Sequence, residues 1–166
     1  MSGPVNNIAA PLQPVAHTML QVQREIHITM RDFREALLWE RPFALASPAF
    51  HLQHIPGVLD RLFTYAKPLA LTPGQVRDLA AEGKMREDIT LQALLGKLDL
   101  QVEKSLFELS KLDPVSLSDF RGVGRKQLPS TVLGLLFHAA EHSMRHTGQL
   151  IVTVACLKGM TTTQTP

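Results

Sequence analysis

The chain has a single cysteine, Cys156, among its 166 residues. It can form no internal disulfide, and neither a zinc ribbon nor a thiolate cluster can assemble within it. An excess of one charge is missing too: 17 Lys and Arg stand against 15 Asp and Glu, a formal net charge of +2. Proteins whose affinity comes from neutralising backbone phosphates carry many clustered cations, so nucleic acid is not expected as a partner. No run approaches the ~18 to 20 apolar residues that cross a bilayer, and the start has no basic region followed by an apolar stretch. These absences lead us to expect no membrane partner and a cytoplasmic location.

What is present is the composition of a folded protein, 45% hydrophobic and 19% charged, without the low hydrophobicity and high charge that prevent a core from forming. The length suits one domain. Residues 12–159 are expected to form it. Residues 1–11 and 160–166 are small, polar or punctuated by proline, and are expected to be flexible segments that add little to a core.

Apolar positions Leu20, Ile26, Met30, Phe33, Leu37 and Leu38 fall mostly at helical intervals, which predicts a first helix from about Gln13 to Trp39. Ser47 followed by Pro48 is a cap-then-proline start for a second helix. Within that helix Pro56 lacks a backbone donor and meets the carbonyl four residues back, so a kink or wide turn is expected just after His54. Thr72 and Pro73 repeat the start signal for a short, peripheral helix to about Glu82. A third long helix is predicted from Asp88 or Thr90 to Leu112, burying Leu94, Leu95, Leu98, Val102, Leu106, Phe107 and Leu109. The glycines, prolines and charges of DPVSLSDFRGVGRKQLP read as a long connection. Ser130 then caps a fourth long helix to about Lys158, with Gly159 just past its end. With no alternating run and loops long enough to cross over, the expected fold is all-α: a four-helix bundle with long crossover connections and a short extra helix.

Three histidines, His138, His142 and His146, recur at steps of four in HAAEHSMRHTGQL, which puts their imidazoles along one face of the last helix. That face also holds Leu135, Gln149 and Thr153, and the row is therefore expected to point inward. Adjacent members can close on one divalent ion, and a further ligand must come from elsewhere. FHLQHI offers His51 and His54 three apart on the second helix; His54 is favoured because the Pro56 disturbance begins there, with His51 as the alternate. Taken alone, an HxxxH pair is better accounted for by partly exposed or hydrogen-bonded histidines in a polar layer.

Two other metal signatures fail. His138, Glu141 and His142 match HxxEH, the inverted zinc-peptidase pattern. That pattern takes a later carboxylate as its third ligand, and no Asp or Glu follows Glu141. A ferritin-like di-iron site needs two Glu-x-x-His motifs, and the chain has none.

His142, His146, Gly148 and Gln149 form HxxxHxGQ, and WERP is followed by SPAFHLQHIPGVLDRL. On these motifs most of the chain resembles the DinB/YfiT-like superfamily of metalloenzymes. The resemblance implies a four-helix bundle with a crossed connection, usually a homodimer, holding a divalent ion of nickel or zinc type on His54, His142 and His146. It places His138, one turn earlier, in the pocket or behind the ligands; on their positions His51 and Gln149 are read as pocket residues or as orienting a ligand by a hydrogen bond. It also implies a small-molecule substrate, a low-molecular-weight thiol in some relatives, with transferase or hydrolase chemistry at the position that three nitrogens leave open. The alternative is a non-catalytic or stress-related metal-binding dimer. Pro56 departs from the small, helix-compatible residue more usual at that place.

Of the remaining residues, Arg121, Arg125 and Lys126 around the glycines of FRGVGRK offer an anion attraction, though a solvated loop explains them better. Trp39 reads as core. Glu141 is positioned to pair with Arg145 at i+4.

Overall fold

The computed structural model describes residues 3–162. The helical periodicities appear as α1 (Gln13–Met30), α2 (Pro48–Ala66), the short α3 (Pro73–Ala81), α4 (Leu91–Lys111) and α5 (Val132–Thr162). The fold is the all-α bundle with one extra helix. α5 packs on α1 and α2, and both of those pack on α4. The order around the bundle is therefore α1, α5, α2, α4, so α1 and α2 face each other across one diagonal and α4 and α5 across the other. The connections joining each diagonal pair must cross an end of the bundle.

Local chemistry sets the starts. Ser47 accepts from the Phe50 amide with Pro48 behind it, Thr72 and Gln75 complete a reciprocal capping box, and Thr90 accepts from the Ala93 amide. The apolar stripes of the four long helices meet in one core, where Met19, Ile26, Leu52, Leu59, Leu98 and Leu150 have lost their contact with solvent. Each such burial contributes roughly 1.5 to 3 kcal/mol.

Several boundaries differ from the sequence expectation. α1 stops at Met30 rather than Trp39. Phe33 and Leu38 are still buried, but from a turn and the 3-10 segment Glu35–Leu37, and the Leu38 carbonyl ties down the returning chain by accepting from the Ala49 amide at 2.9 Å. The expected wide turn after His54 is absent: α2 runs through Pro56, which is buried in the helix. Phe107 is 62% exposed, and Ser105 takes a buried place on α4 that the apolar pattern had assigned to its neighbours.

The connection before α5 contains a small hairpin, where no strand was expected. β1 (Phe120–Val123) pairs antiparallel with β2 (Leu128–Thr131), Phe120 opposite Thr131 and Val123 opposite Leu128. Gly124 turns with φ +65, a conformation that costs glycine little, and its carbonyl accepts from the Gln127 amide. The cap of α5 is Thr131 rather than Ser130, its hydroxyl accepting from the Gly134 amide at 3.0 Å. At the other end α5 passes Gly159 and continues to Thr162, so the expected tail begins in helix; residues 163–166 lie outside the described part. The N-terminal segment also contributes more than expected. Ile8 joins the core, and the Gln13 side chain bonds both the amide and the carbonyl of Val5.

Candidate metal centre

α2 and α5 lie side by side, and each brings two histidines to the seam. His54 Nε2 lies 3.0 Å from His142 Nε2. The His146 ring centre is 4.4 Å from that of His54 and 4.6 Å from that of His142. One nitrogen from each of His54, His142 and His146 lies within 4.8 Å of the other two. Two bonds of ~2.0 to 2.1 Å meeting at a tetrahedral angle separate their nitrogens by about 3.3 Å, so small side-chain adjustments bring this set onto one ion. Phe50, one turn before His54, stacks on its ring at 5.1 Å and 15° and meets His146 edge-on at 6.1 Å, walling one side of the cluster with hydrocarbon.

The electrostatics favour uncharged rings. Burial, and then the neighbouring His54, lower His51 to a pKa of about 4. Burial together with His54, His142 and His51 brings His146 to about 4 as well. His142 is lowered by burial first, then by His54, Arg145 and His138. At neutral pH these three imidazoles present lone pairs rather than charges, which is the form that binds a metal. His142 Nδ1 is buried without a hydrogen-bond partner. The donor set therefore fits a divalent ion: imidazole nitrogens converge from two helices, with His142 and His146 held in the uncharged form.

The other residues singled out by sequence are placed as follows. His51 is buried, and its Nδ1 faces His146 Nδ1 at 3.2 Å, behind the cluster. His138 is exposed and binds Glu141 Oε1 at 2.7 Å, while Glu141 also takes Arg145 at 2.7 and 2.8 Å. The Glu141–Arg145 pair is the expected one; the His138 contact adds to it, and His138, Glu141 and His142 form a second convergent group at the rim. Gln149 is exposed and lines a groove of about 440 Å³ with Leu45, His51, Arg145 and Val152. Arg121 is structural, its Nε donating to the Ala66 carbonyl at 2.8 Å, whereas Arg125 and Lys126 are exposed on the hairpin turn. Trp39 packs partly buried against the core.

Two features escaped the sequence reading. The histidine row was expected to point straight inward, yet the buried stripe of α5 runs through Leu136, Ala139, Ser143, Thr147, Leu150 and Val154. The row lies beside it, with His138 and Gln149 in solvent. The second is Glu82, which follows the short helix α3 and had been read as its peripheral end. Its side chain is only 7% exposed, with Oε2 at 2.6 Å from His54 Nδ1 and Oε1 at 2.6 Å from Arg61. Burial raises its pKa, but the hydrogen bonds from His54 and Arg61 outweigh that and hold the carboxyl below its ordinary value. Only a chain fold could have paired residues 28 positions apart.

No helix among the described residues is long and apolar enough to cross a membrane. Comparison with known proteins gives a match between residues 20–150 and the family model described as the DinB superfamily. Among solved structures, a conserved protein from Enterococcus faecalis superposes with TM-score 0.71 at 18% identity, over 89% of this chain and 97% of that one. A Streptococcus pneumoniae protein superposes with TM-score 0.65 at 13% identity, over 87% and 88% of the two chains. Among curated proteins none matches.

Proposed function

Since the chain belongs to the DinB superfamily, we propose that it is a metal-dependent enzyme acting on a small molecule, with His54, His142 and His146 holding one divalent ion of nickel or zinc type. The observation that carries this reading is the convergence of three nitrogens from α2 and α5 to within 4.8 Å of one another. Held by three imidazoles, such an ion would supply an open position and would lower the pKa of a water or low-molecular-weight thiol bound there toward neutrality.

The protein's own groups supply the rest. His54, His142 and His146 bind and orient; His51 meets His146 Nδ1 and so leaves its Nε2 for the ion. Phe50 keeps water from one side of the cluster. The groove lined by Leu45, His51 and Gln149 receives the second reactant. Thiol transfer or hydrolysis is the chemistry proposed, in a cytoplasmic homodimer.

Elemental analysis tests the ligand set. The purified protein is expected to carry a stoichiometric divalent metal, and replacing both His142 and His146 by Ala is expected to abolish it while far-UV helicity persists. Metal retained by the folded double variant rejects the assignment. Cobalt substitution then separates enzyme from structural site: an exchangeable ligand supports the first, while four protein nitrogens without exchange, His51 or His138 completing the set, support a non-catalytic bundle.

A further inference from the structure

Behind His54, on the side away from the histidine cluster, α2 forms a seat for one carboxylate. His54, Gly57 and Arg61 follow at i, i+3 and i+7, so they share a face of the helix. Glu82 occupies that face, one oxygen on His54 Nδ1 and the other on Arg61, both at 2.6 Å. Gly57 makes room for it: a Cβ there would stand 2.6 Å from Glu82 Oε1 and 2.7 Å from the Arg61 guanidinium. The chain beyond Glu82 is fastened as well, since Gly83 turns with φ +75 and its amide donates to Gln53 Oε1 at 2.8 Å. The seat is buried on both sides, Arg61 being 8% exposed.

We infer that Glu82 is a positioning residue that fixes the His54 proton on Nδ1 and thereby aims the Nε2 lone pair at His142 and His146 before any ion arrives. A carboxylate paired with Arg61 has no proton to give, so it can only accept, and His54 Nδ1 must donate. A neutral imidazole carries one N–H, so Nε2 is left bare. Arg61 balances the charge, which keeps the carboxylate ionised inside the fold. α3 and the turn after it thus serve the site by delivering Glu82 to α2. The consequence for metal affinity rests on the ligand set proposed above; the consequence for the tautomer does not.

Glu82→Gln separates the two. The buried guanidinium takes the amide oxygen, because a charged donor outcompetes a neutral one for the acceptor. The amide NH2 then faces His54, Nδ1 has to accept, and the proton moves to Nε2. Long-range nitrogen–proton NMR of the metal-free full-length protein reads this directly, since the same spectra distinguish the two neutral tautomers from the doubly protonated ring. We expect the Nδ1–H form in the parent protein and the Nε2–H form in Glu82→Gln, with metal affinity falling about 10- to 100-fold. Should Glu82→Gln fail to fold, Gly57→Ala is read instead: alanine suits the helix, and its methyl group displaces the carboxylate from the seat. An unchanged His54 tautomer in the folded variant overturns the inference, whether or not metal binds. A switched tautomer upholds it even in a protein that takes up no metal, a result that would instead remove the proposed function.

Discussion

His51 gives the sharpest quantitative expectation, because it is a buried base in a protein that has to stay folded as the pH falls. It is 2% exposed, and its pKa is lowered from 6.5 to about 4 by burial and then by His54. Below pH 6.5 the unfolded chain takes up a proton that the folded one refuses until about 4. Stability must therefore rise with pH across that window and drain away as pH falls through it. For one such group the loss between about pH 7.5 and 5 is about 2 kcal/mol. His146 titrates in the same sense, but it faces His51 at 3.2 Å and the two compete for a proton, so their losses do not simply add. Glu82, held below its ordinary value, contributes stability that is lost only at more acid pH, outside this window. Denaturant unfolding of chelator-treated protein at the two pH values measures the loss, and His51→Leu should diminish it. A flat pH response, or an undiminished one in the His51→Leu variant, would refute the reasoning.

Two further substitutions test the bundle itself. Leu98→Ala opens a cavity at a fully buried site on α4 and should destabilise the protein by about 2 to 5 kcal/mol, read from the denaturant midpoint; a loss under about 1 kcal/mol would mean that the core there is not closed. Thr131→Ala removes the cap of α5 and should cost about 1 kcal/mol, with hydrogen exchange of the Gly134 amide faster than in the parent, whereas Ser130→Ala should leave that amide unchanged.

The fold class could be read in the sequence because four stripes of apolar residues repeat at helical spacing and two of their starts carry strong caps, Ser47–Pro48 and Thr90. The end of α1 could not, because Phe33 and Leu38 keep the helical rhythm while being buried from a turn. The hairpin was hidden for the opposite reason: FRGV and LPST carry glycine, proline and polar residues, and only their pairing across Gly124 makes them strands. At the site, two histidines one turn apart on each of two helices were visible as spacing. The α2–α5 packing brings them together, His54 Nε2 opposite His142 Nε2 and His51 Nδ1 opposite His146 Nδ1. Glu82 had no local signal, since its partners lie on another helix and the glycine that admits it looks in sequence like a helix defect beside Pro56.

The offset between the buried stripe of α5 and its histidine row separates two jobs that share one helix. Leu136, Ala139, Leu150 and Val154 belong to the buried hydrocarbon interior, and the imidazoles of His142 and His146 stand at its margin. Donor groups at that margin can be exchanged, for another ligand set or for none, without reopening the interior. A scaffold of this kind keeps its shape while its rim is rewritten one side chain at a time.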